Sequence, residues 1–304
     1  MRFPSLFCAV AASFAVLLAS SRAGETPSFL KKGDVIALVG GEDLVAVAED
    51  GSLESAVLLA SPALELRFRS LAWEGDTVYE QPRDLNYPTL EDQLKRIGAT
   101  VVLTQFGLME SFAGPDKIPD FIAAYEKLID RLAAGNARRV VLLTPGIFEQ
   151  SAGVPIDRGA ANQTLAAYRQ AIISLAQRRQ LRSVDLASAV DHAAQALHTT
   201  RDGLHLNGRG RALLADAVSH ALSDSAAPAK SSAAETLAPL IHEKNRLWFN
   251  YYRPQNWAFL AGDRTNQPSS RDHIDPTKRW FPAEMELYLP LIAAKDREIA
   301  AALK

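Results

Sequence analysis

Cysteine is almost missing from this chain of 304 residues, and its single copy, Cys8, sits close to the start. It lies in a mostly apolar run from Leu6 to Leu18, which follows Arg2 and precedes Ser21-Arg22-Ala23. A basic residue, a short apolar stretch and small residues at a cleavage position are the parts of a secretory signal peptide. The run is too short to cross a bilayer comfortably. A retained anchor is the competing reading. With residues 1–23 removed the chain has no cysteine, which excludes a disulfide, a thiolate nucleophile and a cysteine-based zinc site. A second long apolar run is also lacking, as is any excess of one charge: 33 Lys and Arg stand against 35 Asp and Glu. That balance gives no footprint for nucleic acid or an anionic membrane surface. The expectation is an exported protein, secreted or periplasmic, with no membrane span after signal removal.

What is present is an alternation of short β-branched runs with longer helical patterns. Val35–Val39, Leu66–Leu71, Thr100–Thr104, Arg139–Thr144 and Leu181–Asp185 read as five buried strands. Ile118–Ala134 and Asn162–Arg179 carry apolar residues at helical spacing, and Arg209–Leu222 reads as a closing helix. Helices between strands give right-handed crossovers and a parallel sheet, with ligands expected outside the carboxyl ends of the strands. Residues 24–222 are thus expected to form one α/β domain. Residues 223–235, rich in Ser and Ala, read as a linker. Residues 236–304 hold three of the four tryptophans, with weak periodicity until a helix over Pro282–Leu303. So few residues make a marginal core alone, so this segment is expected to pack on the main domain as an extension.

Four clusters follow predicted strands or precede the last helix. The first is Ile36-Ala-Leu-Val-Gly-Gly41-Glu42-Asp43-Leu44, whose plain reading is a tight turn with Glu42 and Asp43 favoured by a helix N-terminus. Trp73-Glu-Gly75-Asp76-Thr77 is the second, which also reads simply as a turn, and Gln105-Phe-Gly107-Leu-Met109-Glu110 is the third. The fourth is Asp202-Gly-Leu-His205-Leu-Asn207. An acidic residue three places before a histidine can orient the imidazole and stabilise its protonated form. His192, His198, Asp202 and His205 match no compact metal-ligand spacing, so neither a metal nor another cofactor is expected.

In this order and at these separations, the four clusters resemble the SGNH (GDSL-type) hydrolases over roughly residues 33 to 223. The resemblance implies a three-layer, flavodoxin-like fold with a five-stranded parallel sheet, and hydrolysis of ester bonds, often acetyl esters on carbohydrate. It places Gly41 at the family's aspartate and Glu42 at its serine nucleophile. It assigns His205 as base, Asp202 as its orienter, and Gly41, Gly75, Gly107 and Glu110 to the oxyanion and substrate-binding rim. Met109 replaces the family's asparagine, and a thioether donates no hydrogen bond. Ser111 is adjacent and could be recruited in its place.

Three functions are consistent with these residues. The first is an exported esterase or deacetylase with an atypical nucleophile site, acting on a small-molecule or carbohydrate ester. The second is a catalytically lapsed, glycan-binding protein of the same fold. The third is a glycoside-cleaving site with Glu42 and Glu110 as paired carboxylates beside His205. In the C-terminal segment, Arg253-Pro-Gln-Asn256-Trp257 and Ser270-Arg-Asp-His273-Ile-Asp275-Pro contain the materials of a sugar-stacking surface, or simply the packing of the extension.

Overall fold

The computed structural model describes residues 28–150, 157–189, 198–223 and 232–304. The signal peptide expected over residues 1–23 lies outside them, as do His192 and most of the expected linker. Five strands form: β1 (Val35–Gly40), β2 (Arg67–Ser70), β3 (Val101–Gln105), β4 (Arg139–Leu143) and β5 (Arg182–Val184). All neighbours are parallel and the order is β2-β1-β3-β4-β5. The chain therefore moves outward in one direction from β1 to β2, then returns across β1 to lay down β3, β4 and β5. The fold class is the expected one.

Alternation along the strands explains the three layers, because successive side chains point to opposite faces. Ile36 and Leu38 face helices α1 (Glu42–Asp50), α2 (Ser52–Ala60) and α6 (Gly208–Leu222), where Leu44, Leu53, Val57, Leu214 and Val218 complete one core. Ala37 and Val39 face the other way, against α3 (Leu90–Arg96), α4 (Ile118–Ala133) and α5 (Arg158–Arg178), with Phe121, Tyr125, Leu128 and Tyr168. Helix α5 begins earlier than its apolar pattern suggests because Asp157 caps it, accepting from the amides of Gly159 and Ala160.

Beyond the fifth strand the sequence reading is corrected. Weak periodicity was expected after residue 235, yet a 21-residue helix, α7 (Ser232–Tyr252), runs there. It takes up the last four residues of the expected linker. Its apolar residues do not form one stripe, because the helix serves both cores: Leu237 and Ile241 join the first, Trp248, Tyr251 and Tyr252 the second. Three further helices follow, α8 (Trp257–Leu260), α9 (Trp280–Glu286) and α10 (Tyr288–Ala302), the last packed along α7.

Two buried ion pairs fasten this segment to the main domain, one to α2 and one to β2. Lys244 is fully buried and its ammonium lies 2.6 Å from both oxygens of Glu54 on α2. Nearby, Arg69 of β2 grips Asp296 of α10 through both guanidinium nitrogens, at 3.1 and 2.5 Å. Burial pushes Lys244 below its ordinary value, and the Glu54 carboxylate opposes that shift. A buried pair gains little over an apolar one, but removing one partner strands the other charge. Lys244→Ala should therefore lower the unfolding free energy by about 3–5 kcal/mol. The double change Glu54→Leu with Lys244→Met should recover most of it, as read by urea unfolding.

Candidate active site

The site forms where strand order reverses, outside the carboxyl ends of β1 and β3. Gly40 ends β1 so close to β3 that a Cβ there would sit 2.6 Å from the Gln105 carbonyl oxygen. Only glycine fits. Gly41 then caps α1 without a side chain, and the helix N-terminus favours negative charge in its first turn. Glu42 and Asp43 occupy that turn but diverge. Glu42 is partly exposed and pairs with Arg201 at 3.1 Å. Asp43 turns inward beside Leu44 and Val47, where its carboxylate accepts from Gln105 Nε2 at 3.4 Å and lies near His205 and the Leu206 amide.

Residues 198–207 form the opposite wall. Thr200 and Leu206 make an antiparallel bridge, and Arg201 N donates to His205 O at 2.9 Å. Within this tight loop Asp202 organises the histidine three times over. Its Oδ1 accepts from the amides of Leu204 (3.1 Å) and His205 (2.8 Å), and its Oδ2 lies 2.7 Å from His205 Nδ1. With the proton on Nδ1 shared with Asp202, Nε2 is left as the acceptor that a general base needs. Burial alone raises the Asp202 carboxyl. The His205 amide and ring and the Leu204 amide outweigh it and hold the carboxyl down at about 2. Asp202 thus stays ionised as an orienter through any ordinary pH.

Several residues to which the motifs assign no role hold this wall in place. Arg201 Nε lies 3.7 Å from Asp202, so one guanidinium bridges Glu42 and Asp202 across the crevice. Glu149, from the segment after β4, accepts from the amides and hydroxyls of both Thr199 and Thr200. Asn207 caps α6 and donates back to His198 O and Thr200 O. Gly210 is needed because a Cβ would meet the Thr199 carbonyl oxygen at 2.2 Å. The one signal available in sequence was Asp43, a charge at i−4 from Val47 on the apolar side of α1.

Three expectations are corrected. Glu110 does not face substrate: it is buried, accepting from Val78 N at 2.7 Å and Gly107 N at 2.8 Å. Its carboxylate ties the second cluster to the third. A carboxylate engaged by two backbone amides cannot be half of a glycoside-cleaving pair, so that reading is dropped. Gly107 loses its expected role for the same reason, since its amide points to Glu110. Its place is set instead by a φ of +110° and close packing under Ile172 and Phe121. Ser111 cannot replace the asparagine either, as its hydroxyl donates to Leu108 O at 2.7 Å. Gly41 lies at the α1 cap and Gly75 in the turn after β2. Met109 is exposed on the rim beside Phe112. Among the described residues no group of three or more His, Asp or Glu side chains could hold a metal ion.

The sequence pattern of the GDSL-like Lipase/Acylhydrolase family matches residues 48–213, more than half of the chain, and the chain belongs to that family. The matched span includes Gly75, Asp202 and His205 and begins after Glu42. No curated protein matches the chain. Among solved structures, a gut microbial diltiazem-metabolizing enzyme is similar over 90% of this chain and 94% of its own, at 11% identity and a TM-score of 0.59. A GDSL-like lipase from Parabacteroides merdae is similar over 64% of this chain and 99% of its own, at 18% identity and a TM-score of 0.51. At such identities these likenesses speak for the fold. The first of them extends over the C-terminal helices.

Asp43 gives the site a pH signature. Burial raises its carboxyl from an ordinary 3.8 to about 6, with the nearby His205 and the Leu206 amide pulling it partly back. Below 3.8 both folded and unfolded chains are protonated there. As pH rises from 3.8 to about 6 the unfolded chain ionises first, so stability falls, reaching a cost of about 3 kcal/mol. Asp43→Asn should abolish this slope. Urea unfolding should find the variant more stable than wild type at pH 7, with the gap closing near pH 4.

Proposed function

We propose that this protein hydrolyses ester bonds by direct attack of a water molecule activated by His205, without a serine acyl-enzyme. The observation that carries this is the 2.7 Å His205–Asp202 contact with Asp202 fixed by two further amides. It supplies an oriented base where Glu42, and no serine, opens α1. His205 Nε2 takes a proton from the water as its oxygen attacks the ester carbonyl carbon. The tetrahedral oxyanion is met by the amides at the start of α1 and by Gly75, placed where backbone donors act best. On collapse the departing alkoxide takes the proton from His205, and acid and alcohol leave. Arg201 pairs with Glu42, so that carboxylate's charge is balanced beside the developing oxyanion.

The finer reading is an exported enzyme whose ester is carried on a carbohydrate. The Arg253–Trp257 stretch gives it no support, because Trp257 Nε1 bonds Leu85 O and its ring packs on Tyr87. In the second stretch Trp280 also donates its Nε1, to Ser269 O at 3.2 Å, and packs on Phe281. The residue nevertheless stays 43% exposed and lines an open cavity of about 690 Å³ with Arg271, Asp272 and His273. An exposed indole with charged neighbours suits a sugar face.

Purified protein should turn over a small acetyl ester without a pre-steady-state burst. His205→Ala should lower kcat by ~10²–10⁴. Glu42→Ser restores a hydroxyl and should introduce a burst of alcohol release. Trp280→Ala should raise KM for acetylated oligosaccharides while leaving a small aryl acetate unaffected. No turnover across a broad ester panel overturns the proposal and leaves the cleft a binding site.

A further inference from the structure

Among the described residues strand β2 pairs only with β1, so the carbonyls along its other side require partners from elsewhere. Helix α7 provides them with side chains. Lys244 Nζ donates to Phe68 O at 3.4 Å, Trp248 Nε1 to Ser70 O at 2.7 Å, and Arg253 Nη2, just past the helix end, to Ala72 O at 2.5 Å. Tyr252 adds its hydroxyl to Leu71 O at 3.3 Å. Four helical residues rise ~6 Å and two strand residues advance ~6.6 Å, so donors about one turn apart meet alternate carbonyls. The row continues past the end of the strand into the loop that carries Gly75.

Arg253 is the last member of the row and makes the most contacts with that loop. Its Nη1 pairs with Glu74 at 2.6 Å, and its guanidinium lies 4.2 Å from the centre of the Trp73 ring. Arg83 also lies over Trp73, at 4.4 Å, while donating to both oxygens of the buried Asp76 at 2.7 and 2.9 Å. Gly75 thus stands between two held residues, Glu74 and Asp76, with a φ of +81° that its neighbours must enforce.

We propose that Arg253 is a positioning residue, which sets the Gly75 amide for the oxyanion by holding Ala72, Trp73 and Glu74. The C-terminal extension, outside the family's matched span, is then part of the working site. The kinetic side of this inference rests on the ester-hydrolase reading; the mechanical side does not.

Arg253→Met keeps the apolar stem and deletes the hydrogen bonds. Amide exchange of residues 71–77, followed by mass spectrometry, should quicken by about tenfold or more while α6 keeps its protection. With a small acetyl ester, kcat should fall about ten- to hundredfold with KM within about threefold. Arg253→Lys, which can remake one bond, should recover part of both. Arg96→Gln, which breaks an exposed pair with Glu286 on α9 and a contact with the Tyr251 ring on α7 but none with residues 71–77, should move neither. Unchanged exchange in Arg253→Met overturns the inference, as does the same loss of kcat in Arg96→Gln. Should the wild-type protein hydrolyse no ester, the ester reading falls and the exchange result alone decides whether Arg253 holds the loop.

Discussion

The reversal of strand order between β1 and β3 is the constraint from which the rest follows. Connections on either side of it leave toward opposite faces, so the carboxyl ends of these two strands open onto a crevice that no crossover fills. Gly40 allows the strands to close up behind that crevice. The turn after β1, the loop after β2, the turn after β3 and the segment before α6 then converge on it. No other point of this sheet would gather residues from positions as distant as 42, 75 and 202.

The converging segments are held by backbone hydrogen bonds to charged side chains more than by apolar packing. Glu110 joins two loops through amides, Glu149 anchors the histidine wall, and Asp202 fixes its own loop together with the imidazole. Each carboxylate sits where several N–H groups converge, and such bonds are the stronger kind. Rigidity of this sort suits the proposed chemistry, in which a base and a set of amides are presented without rearrangement. The exception is Asp43, a buried carboxyl that destabilises the fold at neutral pH.

Much of the fold was legible because parallel strands and amphipathic helices write their periods into the sequence. The five strands fall within a residue or so of their predicted ends, and α4 and α6 were read almost to the residue. Helix α7 was not, since a helix that packs on two cores along its length lacks a single apolar stripe. In the site, the Asp202–His205 pair was readable because both partners lie within one loop. The roles of Glu110, Glu149 and Arg201 were not, because each depends on contacts between segments far apart in sequence. Glu110 is instructive: its spacing from Gly107 was visible, yet the amide it would accept from Val78 was not.

The row of donors on α7 also bears on how such a sequence could be shortened or shuffled. The family's recognisable span stops at residue 213, well before this helix begins. A polypeptide ended soon after that boundary would keep every residue by which its kinship is detected. It would also present β2 with bare carbonyls and Glu54 without its countercharge. A bare strand edge recruits the edge of a second copy, so the consequence of such a deletion is self-association. The segment least visible as kin is the one that covers this edge.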